Sequence, residues 1–328
     1  MKILVIRFSS IGDLTQSLSI PALIKENHPD AEVHFLTRSD FTLLLNNNPQ
    51  VKKVWAIDRK KGFGEIFSLS KELRKEKFDI IYDAHNNLRS FFIRNLVSAK
   101  SKIVKPMSRF KRFLLLKFKI NLFEKPFSGQ RDLLRPLAKM GIAFRLPKPP
   151  LIFFDGSTEA KIKTLLETHH LTRYLVIVPS AAYALKRWPM NHWKSLVLQN
   201  PDKKIVVLAG PTDTFTEELN TFPNIINLTG KTSLLESAAI IDKAQVIISN
   251  DTGMLHFSEQ LGKKTIALMG PAPFGFPSRP TTVIMEKNLP CRPCSKHGQG
   301  PCVNSNFHEC MTALTPAMVQ QHLESLWV

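Results

Sequence analysis

Cysteine is absent from this chain before Cys291, and all four of its cysteines fall between Cys291 and Cys310. A disulfide framework spread over the fold is thereby excluded, and no secretion signal argues for one confined to the tail. Long apolar runs are missing too. Met1-Lys2 precedes only Ile3 to Ile6 before Arg7 intervenes, and the longest candidate, near Phe113 to Phe123, is interrupted by Lys117 and Lys119. A bilayer-spanning helix needs about 20 consecutive apolar residues, and a signal peptide needs a longer apolar core than this. The expectation is therefore a protein made and kept in the cytoplasm. No two aspartates are separated by a single residue, so the paired-Asp clamp that holds a metal on a sugar diphosphate has no counterpart here. Gly62-Phe63-Gly64 lacks the third glycine of the dinucleotide fingerprint and precedes a helix in the wrong place, and no G-x-x-x-x-G-K-[ST] occurs. Dehydrogenase and P-loop chemistry lose their support. Phosphate binding by lysine and helix N-termini remains.

Acid is also scarce. Asp and Glu number 27 against 45 Lys and Arg, a formal charge of +18. Such a surplus implies an anionic partner: nucleic acid, a phospholipid surface, or a phosphorylated or acidic substrate. A solvated basic surface with no partner is the alternative. Hydrophobic residues at 43% and charged ones at 22% are globular values, and 328 residues suffice for two domains.

The first half alternates strand and helix. Strands are expected at Lys2–Phe8, Ala31–Thr37, Val51–Asp58 and Phe78–Ala84, and helices at Leu14–Asn27, Phe41–Leu45 and Glu65–Lys77. Lys100 to Lys125 breaks the rhythm by mixing Lys and Arg with Phe and Leu, a basic amphipathic segment. Leu146-Pro147-Lys148-Pro149-Pro150 reads as a linker. Strands then resume at Tyr174–Val178, Lys204–Ala209, Ile225–Leu228, Val246–Ser249 and Thr265–Met269, with helices at His192–Leu198, Thr214–Thr221 and Leu234–Ala244. The expected fold class is α/β, with Rossmann-like doubly wound parallel-sheet domains over 1–150 and 151–328. A cleft between the carboxyl ends of both sheets would bind the ligand.

Gly12-Asp13 follows the first strand. A carboxylate there suits a general base, because a sugar hydroxyl is a poor nucleophile until its proton is removed. An N-cap of the following helix is the competing role. Ser249-Asn250-Asp251-Thr252-Gly253 follows a buried strand and opens a helix. Free backbone N–H groups and the helix dipole favour a diphosphate there, with Gly253 permitting close approach and His256 one turn on. A capping Asp with a turn glycine is again the competitor. Lys186, in Lys186-Arg187-Trp188-Pro189 after the Val178-Pro179-Ser180 turn, could neutralise a departing phosphate or be solvated. Cys291-x2-Cys294 is metal-like. Cys302 and Cys310 follow at wider spacing, so zinc and reduced packing cysteines both stay open.

Taken together, these segments resemble the bacterial lipopolysaccharide heptosyltransferases of glycosyltransferase family 9. The opening Lys2 to Asp13, the Asp83–Ser90 segment, Lys186 to Pro189 with Trp193, Ser249 to Pro271, and the tail from Cys291 to Val319 carry the likeness in order along nearly the whole chain. The resemblance implies a GT-B fold and inversion at the anomeric carbon by a single displacement, with no cofactor and no catalytic metal. Asp13 would be the base, with Gly12 beside it. Lys186 would hold the donor phosphate, helped by Ser180, while Asp251, Thr252, Gly253 and His256 would bind ADP-heptose and Arg89 would face the acceptor. The partners implied are ADP-heptose, the lipid A–core oligosaccharide and the anionic leaflet of the inner membrane at its cytoplasmic face; Arg109 to Lys119 would be an interfacial or acceptor-gripping segment, with a helix packing Phe and Leu inward under solvated lysines as the competing reading. One departure stands out. Ala181-Ala182 replaces hydroxyl residues common before the lysine, which leaves another nucleotide sugar as the alternative donor. A nucleic-acid-binding module is the remote alternative; no motif for it is present.

Overall fold

The computed structural model describes residues 1–328, the side chain of Arg59 excepted. It divides into two compact units, Met1–Ser108 with Gly129–Phe153, and Arg109–Ser128 with Phe154–Val328. The division thus falls at Phe153/Phe154, beyond the proline-rich linker, and Arg109–Ser128 belongs with the second unit although it lies within the first half of the sequence.

In the first unit β1 (Lys2–Ile6), β2 (Glu32–Arg38), β3 (Lys53–Ile57), β4 (Ile80–Asp83) and β5 (Ser101–Val104) form a parallel sheet in the order β3-β2-β1-β4-β5. In the second, β6 (Tyr174–Val178), β7 (Lys204–Val207), β8 (Ile225–Asn227), β9 (Val246–Asn250), β10 (Thr265–Met269) and β11 (Thr282–Glu286) are ordered β11-β10-β9-β6-β7-β8, again all parallel. Each sheet starts at its centre, grows to one side, then returns and grows to the other. The strand order therefore reverses between β1 and β4 and between β6 and β9. At such switch points the two flanking loops diverge, and ligands bind outside the carboxyl ends of the strands.

The central strands are fully buried because helices cover both faces, which is why they read as continuous apolar runs: Tyr174 to Val178 and Thr265 to Met269 are buried at every position. The edge strand β5 was not expected. Two of its four residues are exposed, so Ser-Lys-Ile-Val has no such run. The helix expected over Leu14–Asn27 is two, Ile11–Ser17 and Ser19–Asn27, joined at Leu18. Pro21 accounts for the break: its ring conflicts with the carbonyl four residues earlier, at Ser17. Phe41–Leu45 and Thr214–Thr221 prove to be 3-10 turns, at Ser39–Leu44 and Thr214–Thr221. Among the described residues no helix is long and apolar enough to cross a membrane.

Candidate active site

In the first unit, Arg7 follows β1 directly, and Gly12 and Asp13 lie in the first turn of the next helix, Ile11–Ser17. Ser10 is the N-cap of the helix Ile11–Ser17, and Asp13, three residues on, returns the bond, its Oδ2 accepting from the Ser10 N–H at 3.1 Å. Asp13 is therefore the reciprocal member of a capping box rather than the cap itself. Arg7 Nη2 lies 2.7 Å from the same oxygen, and Arg7 Nη1 donates to the Ala84 carbonyl at 2.6 Å. The guanidinium thus ties the ends of β1 and β4 together across the switch point. Its side chain is 10% exposed, whereas that of Asp13 is 48% exposed. A nearly buried guanidinium thus fixes the orientation of a carboxylate that remains open to solvent.

The β4 loop faces the same point. Asp83 is fully buried; its Oδ2 accepts from Arg94 Nη1 at 2.7 Å, and its Oδ1 accepts from the N–H groups of His85 and Asn86 at 3.1 and 2.7 Å. That turn sets the chain into the helix Leu88–Leu96, capped by Asn87, and places Arg89 in its first turn. His85 packs on Phe8 with ring centroids 5.3 Å apart. Burial chiefly, then the nearby Arg7 and Arg89, push its pKa down to about 4, against an opposing pull from Asp13. Its imidazole is neutral at pH 7. Arg7 and His85 were not singled out from the sequence; Arg7 read only as the end of an apolar run.

In the second unit, the ends of β6 and β9 are locked to each other by Asn250. Its Oδ1 accepts from the Trp188 N–H at 3.0 Å, and its Nδ2 donates to the Pro179 carbonyl at 2.7 Å. Trp188 is held in turn by Nε1–H donation to the Leu314 carbonyl at 2.7 Å and an edge-on contact with Trp193 at 4.8 Å. This frame brings Lys186 Nζ to 2.5 Å from Asp251 Oδ2, with side chains only 13% and 7% exposed. Lys186 is thus not a solvated surface lysine. The N-cap of the helix Gly253–Gln260 is Thr252, which makes no side-chain capping bond, so Asp251 is free of the capping role expected as its alternative.

Two glycines far away in sequence shape this pair. Gly275, at φ +97°, packs so close that a Cβ there would lie 2.5 Å from Asp251 Oδ1, and a Cβ at Gly298, φ +82°, would lie 2.8 Å from Lys186 Cγ. Gly298 belongs to the cysteine-bearing tail. The tail also accepts the lysine loop through His308 Nε2, 2.9 Å from the Leu185 carbonyl, and Gln299 Nε2, which donates to the Tyr183 hydroxyl at 2.9 Å. The four thiols are free and share the wall of one small cavity. Burial pushes the Cys310 thiol up to about 11. Among the described residues, the ligand atoms of Glu32, His34 and Glu76 come within 4.8 Å of one another, but Glu32 and Glu76 are already paired with Lys2 and Lys53.

Beside the pair lies a cavity of about 520 Å³ whose wall includes Ser180, Ala181, Ala182, Arg187, Asp213, Ser233 and Thr252. Its volume is that of an ordinary small-ligand site. The loops after β6, β7 and β9 converge on it, as does the start of the helix Leu234–Lys243. Arg187 is fixed there by Asp213 at 3.2 Å, by the Ala181 carbonyl at 3.1 Å and by the Phe215 ring at 4.4 Å. Of the expected donor residues, Ser180 and Thr252 line this cavity, Gly253 opens its helix, and Lys186 and Asp251 are joined. His256 is buried within its own helix, with Nδ1 3.4 Å from Glu259 Oε2. Arg187 and Asp213 were missed; Arg187 stood in a quoted motif with no role assigned. A second cavity of about 710 Å³, beside the helix Gly156–Thr168, takes no residue from the loops after β6, β7 and β9.

The family model for glycosyltransferase family 9 (heptosyltransferase) matches residues 66–303. The chain belongs to that family. This family 9 enzyme is 26% identical to lipooligosaccharide heptosyltransferase 2 of Haemophilus influenzae over 99% of each chain. Its fold is similar to that of a family 9 glycosyl transferase from Veillonella parvula (TM-score 0.81, 19% identity, 99% and 97% of the two chains). It is also similar to E. coli ADP-heptose lps heptosyltransferase II (TM-score 0.73, 20% identity, 100% and 98%). The architecture is the GT-B class of two Rossmann-like α/β domains, and the protein is a glycosyltransferase. The matched span covers the lysine–aspartate pair and the cavity but not Asp13, whose assignment stands on the geometry around Arg7.

Proposed function

We propose that this enzyme transfers heptose from ADP-L-glycero-D-manno-heptose to the inner core of lipopolysaccharide, acting at the cytoplasmic face of the inner membrane. The names of the Haemophilus and E. coli relatives support the donor and acceptor classes. The single observation that carries the reading is the buried Lys186–Asp251 pair at the β6/β9 switch point, beside a nucleotide-sized cavity and an uncapped helix start. The diphosphate would lie against the N–H groups of Thr252 and Gly253 and the Lys186 ammonium, with Ser180 donating a further hydrogen bond. In a single displacement the acceptor oxygen bonds to the anomeric carbon as the bond from that carbon to phosphate oxygen breaks. The acceptor hydroxyl proton passes to Asp13, the charge left on ADP is met by Lys186 and the helix dipole, and the anomeric configuration inverts. Arg89, in the first turn of its helix near His85, would meet an anionic acceptor group. No step calls on a metal.

A second reading, transfer of another sugar, is favoured by one observation: Ala181 and Ala182 stand in the cavity wall and offer the donor no hydroxyl. Product analysis with ADP-heptose and a panel of other nucleotide sugars, with chelator present, separates the two.

A further inference from the structure

The segment Arg109–Leu122 leaves an apolar face uncovered. In the helix Arg109–Phe118, Leu115 is buried, but Phe110, Phe113 and Phe118 are 69%, 50% and 54% exposed, and Ile120 and Leu122 after it are each 50% exposed. Cations share the face: Lys117 Nζ lies 5.6 and 5.8 Å from the Phe113 and Phe118 rings. No acidic residue stands between Asp83 and Glu124, while Arg109, Lys111, Arg112, Lys117 and Lys119 all do. The segment is also anchored. Lys119 Nζ donates to the Cys291 carbonyl at 3.2 Å and to that of Pro293, and Phe123 and Phe127 pack on Phe274 at 5.4 and 5.0 Å.

We propose that this face docks the enzyme on an anionic lipid bilayer, with Phe110, Phe113 and Phe118 entering the interface and Arg109, Lys111 and Lys117 at the level of the lipid phosphates. A basic amphipathic helix with aromatic residues on its apolar side is built for that plane. A second copy of the chain is disfavoured, because it would bring the same positive charge to the contact. Single-stranded nucleic acid would use the rings for stacking, but it gains nothing from exposed Ile120 and Leu122. The inference deepens the proposed membrane-proximal function by assigning the docking surface to the donor-binding unit.

The test is sedimentation of the full chain with vesicles, with neither donor nor acceptor present, so that its failure is distinguishable from failure of the transfer reading. Wild type is expected to bind vesicles of phosphatidylethanolamine with phosphatidylglycerol, to ignore phosphatidylcholine, and to release at about 1 M salt, where the Debye length is about 3 Å. F110S/F113S/F118S and K111E/K117E should each weaken binding about tenfold or more. F67S, an exposed phenylalanine of the first unit, should bind as wild type does, and all three should keep the wild-type unfolding temperature because the replaced side chains lie at the surface. Binding unchanged in the first two variants, indifference to phosphatidylglycerol, or displacement of protein from vesicles by a single-stranded oligonucleotide would overturn the proposal.

Discussion

Lys186 and Asp251 hold each other's charge in a nearly dry place, and each depends on the other for solvation. Removing one partner of such a pair costs roughly 3–5 kcal/mol, because the remaining charge is left buried. Lys186→Met should therefore lower the unfolding temperature sharply as well as weaken ADP binding. The double variant K186M/D251N should regain part of the stability but not the affinity. If the double variant bound ADP like wild type, the lysine's role in donor binding would be lost. Gly275→Ala tests the same locus from outside: the added carbon meets Asp251 Oδ1, and its φ of +97° disfavours any side chain. The expected cost is about 1–3 kcal/mol, with a matching loss of ADP affinity by calorimetry. On the other unit, His85 is kept neutral. Between about pH 6.5 and about 4 the unfolded chain binds a proton there that the folded chain does not. Stability should fall as pH is lowered through that window, with His34 and His192 contributing in the same direction because burial lowers them too. Urea midpoints at pH 7 and pH 5 should differ less for His85→Gln than for wild type. An equal difference would show that the imidazole is solvated.

Among the elements, burial on both faces made strands legible, and the edge strands divided: β3 and β8 were expected, β5 and β11 were not. β1, β6, β9 and β10 are covered on both faces and announce themselves as apolar runs. β5 and β11 are edge strands with exposed or half-buried positions and have no such signature. Pro21 was there to be read, yet the apolar periodicity of Leu14 to Asn27 runs on through the break. The site divides in the same way. Asp13, Lys186 and Asp251 lie in the segments that follow β1, β6 and β9, where local pattern finds them. Gly275 and Gly298 matter only through partners remote in sequence, and no local signal exposes them. For the cysteine tail the sequence left zinc and packing cysteines both open, and gave no sign that Gly298, Gln299 and His308 brace the Lys186 loop. Nor does chain order tell which unit Arg109–Ser128 joins, since that is settled by Lys119 and the phenylalanines finding partners beyond residue 270.

At the scale of the molecule, the proposed reaction draws an arginine-held carboxylate from the first unit, and a cation, a helix start and a cavity of about 520 Å³ from the second. The +18 charge fits a partner set of sugar diphosphate, phosphorylated glycolipid and anionic leaflet. General-base catalysis is worth about 10²–10⁴ in rate, so the carboxylate of Asp13 is where the proposed chemistry is most exposed to test. The decisive measurement is transfer by wild type and Asp13→Asn from ADP-heptose to a heptose-deficient core acceptor, with chelator present and ADP affinity measured alongside. Turnover by wild type, a loss of at least about a hundredfold in the variant and unchanged ADP affinity are expected. Undiminished turnover in Asp13→Asn, or wild-type turnover only with a different nucleotide sugar, would contradict the proposed reaction.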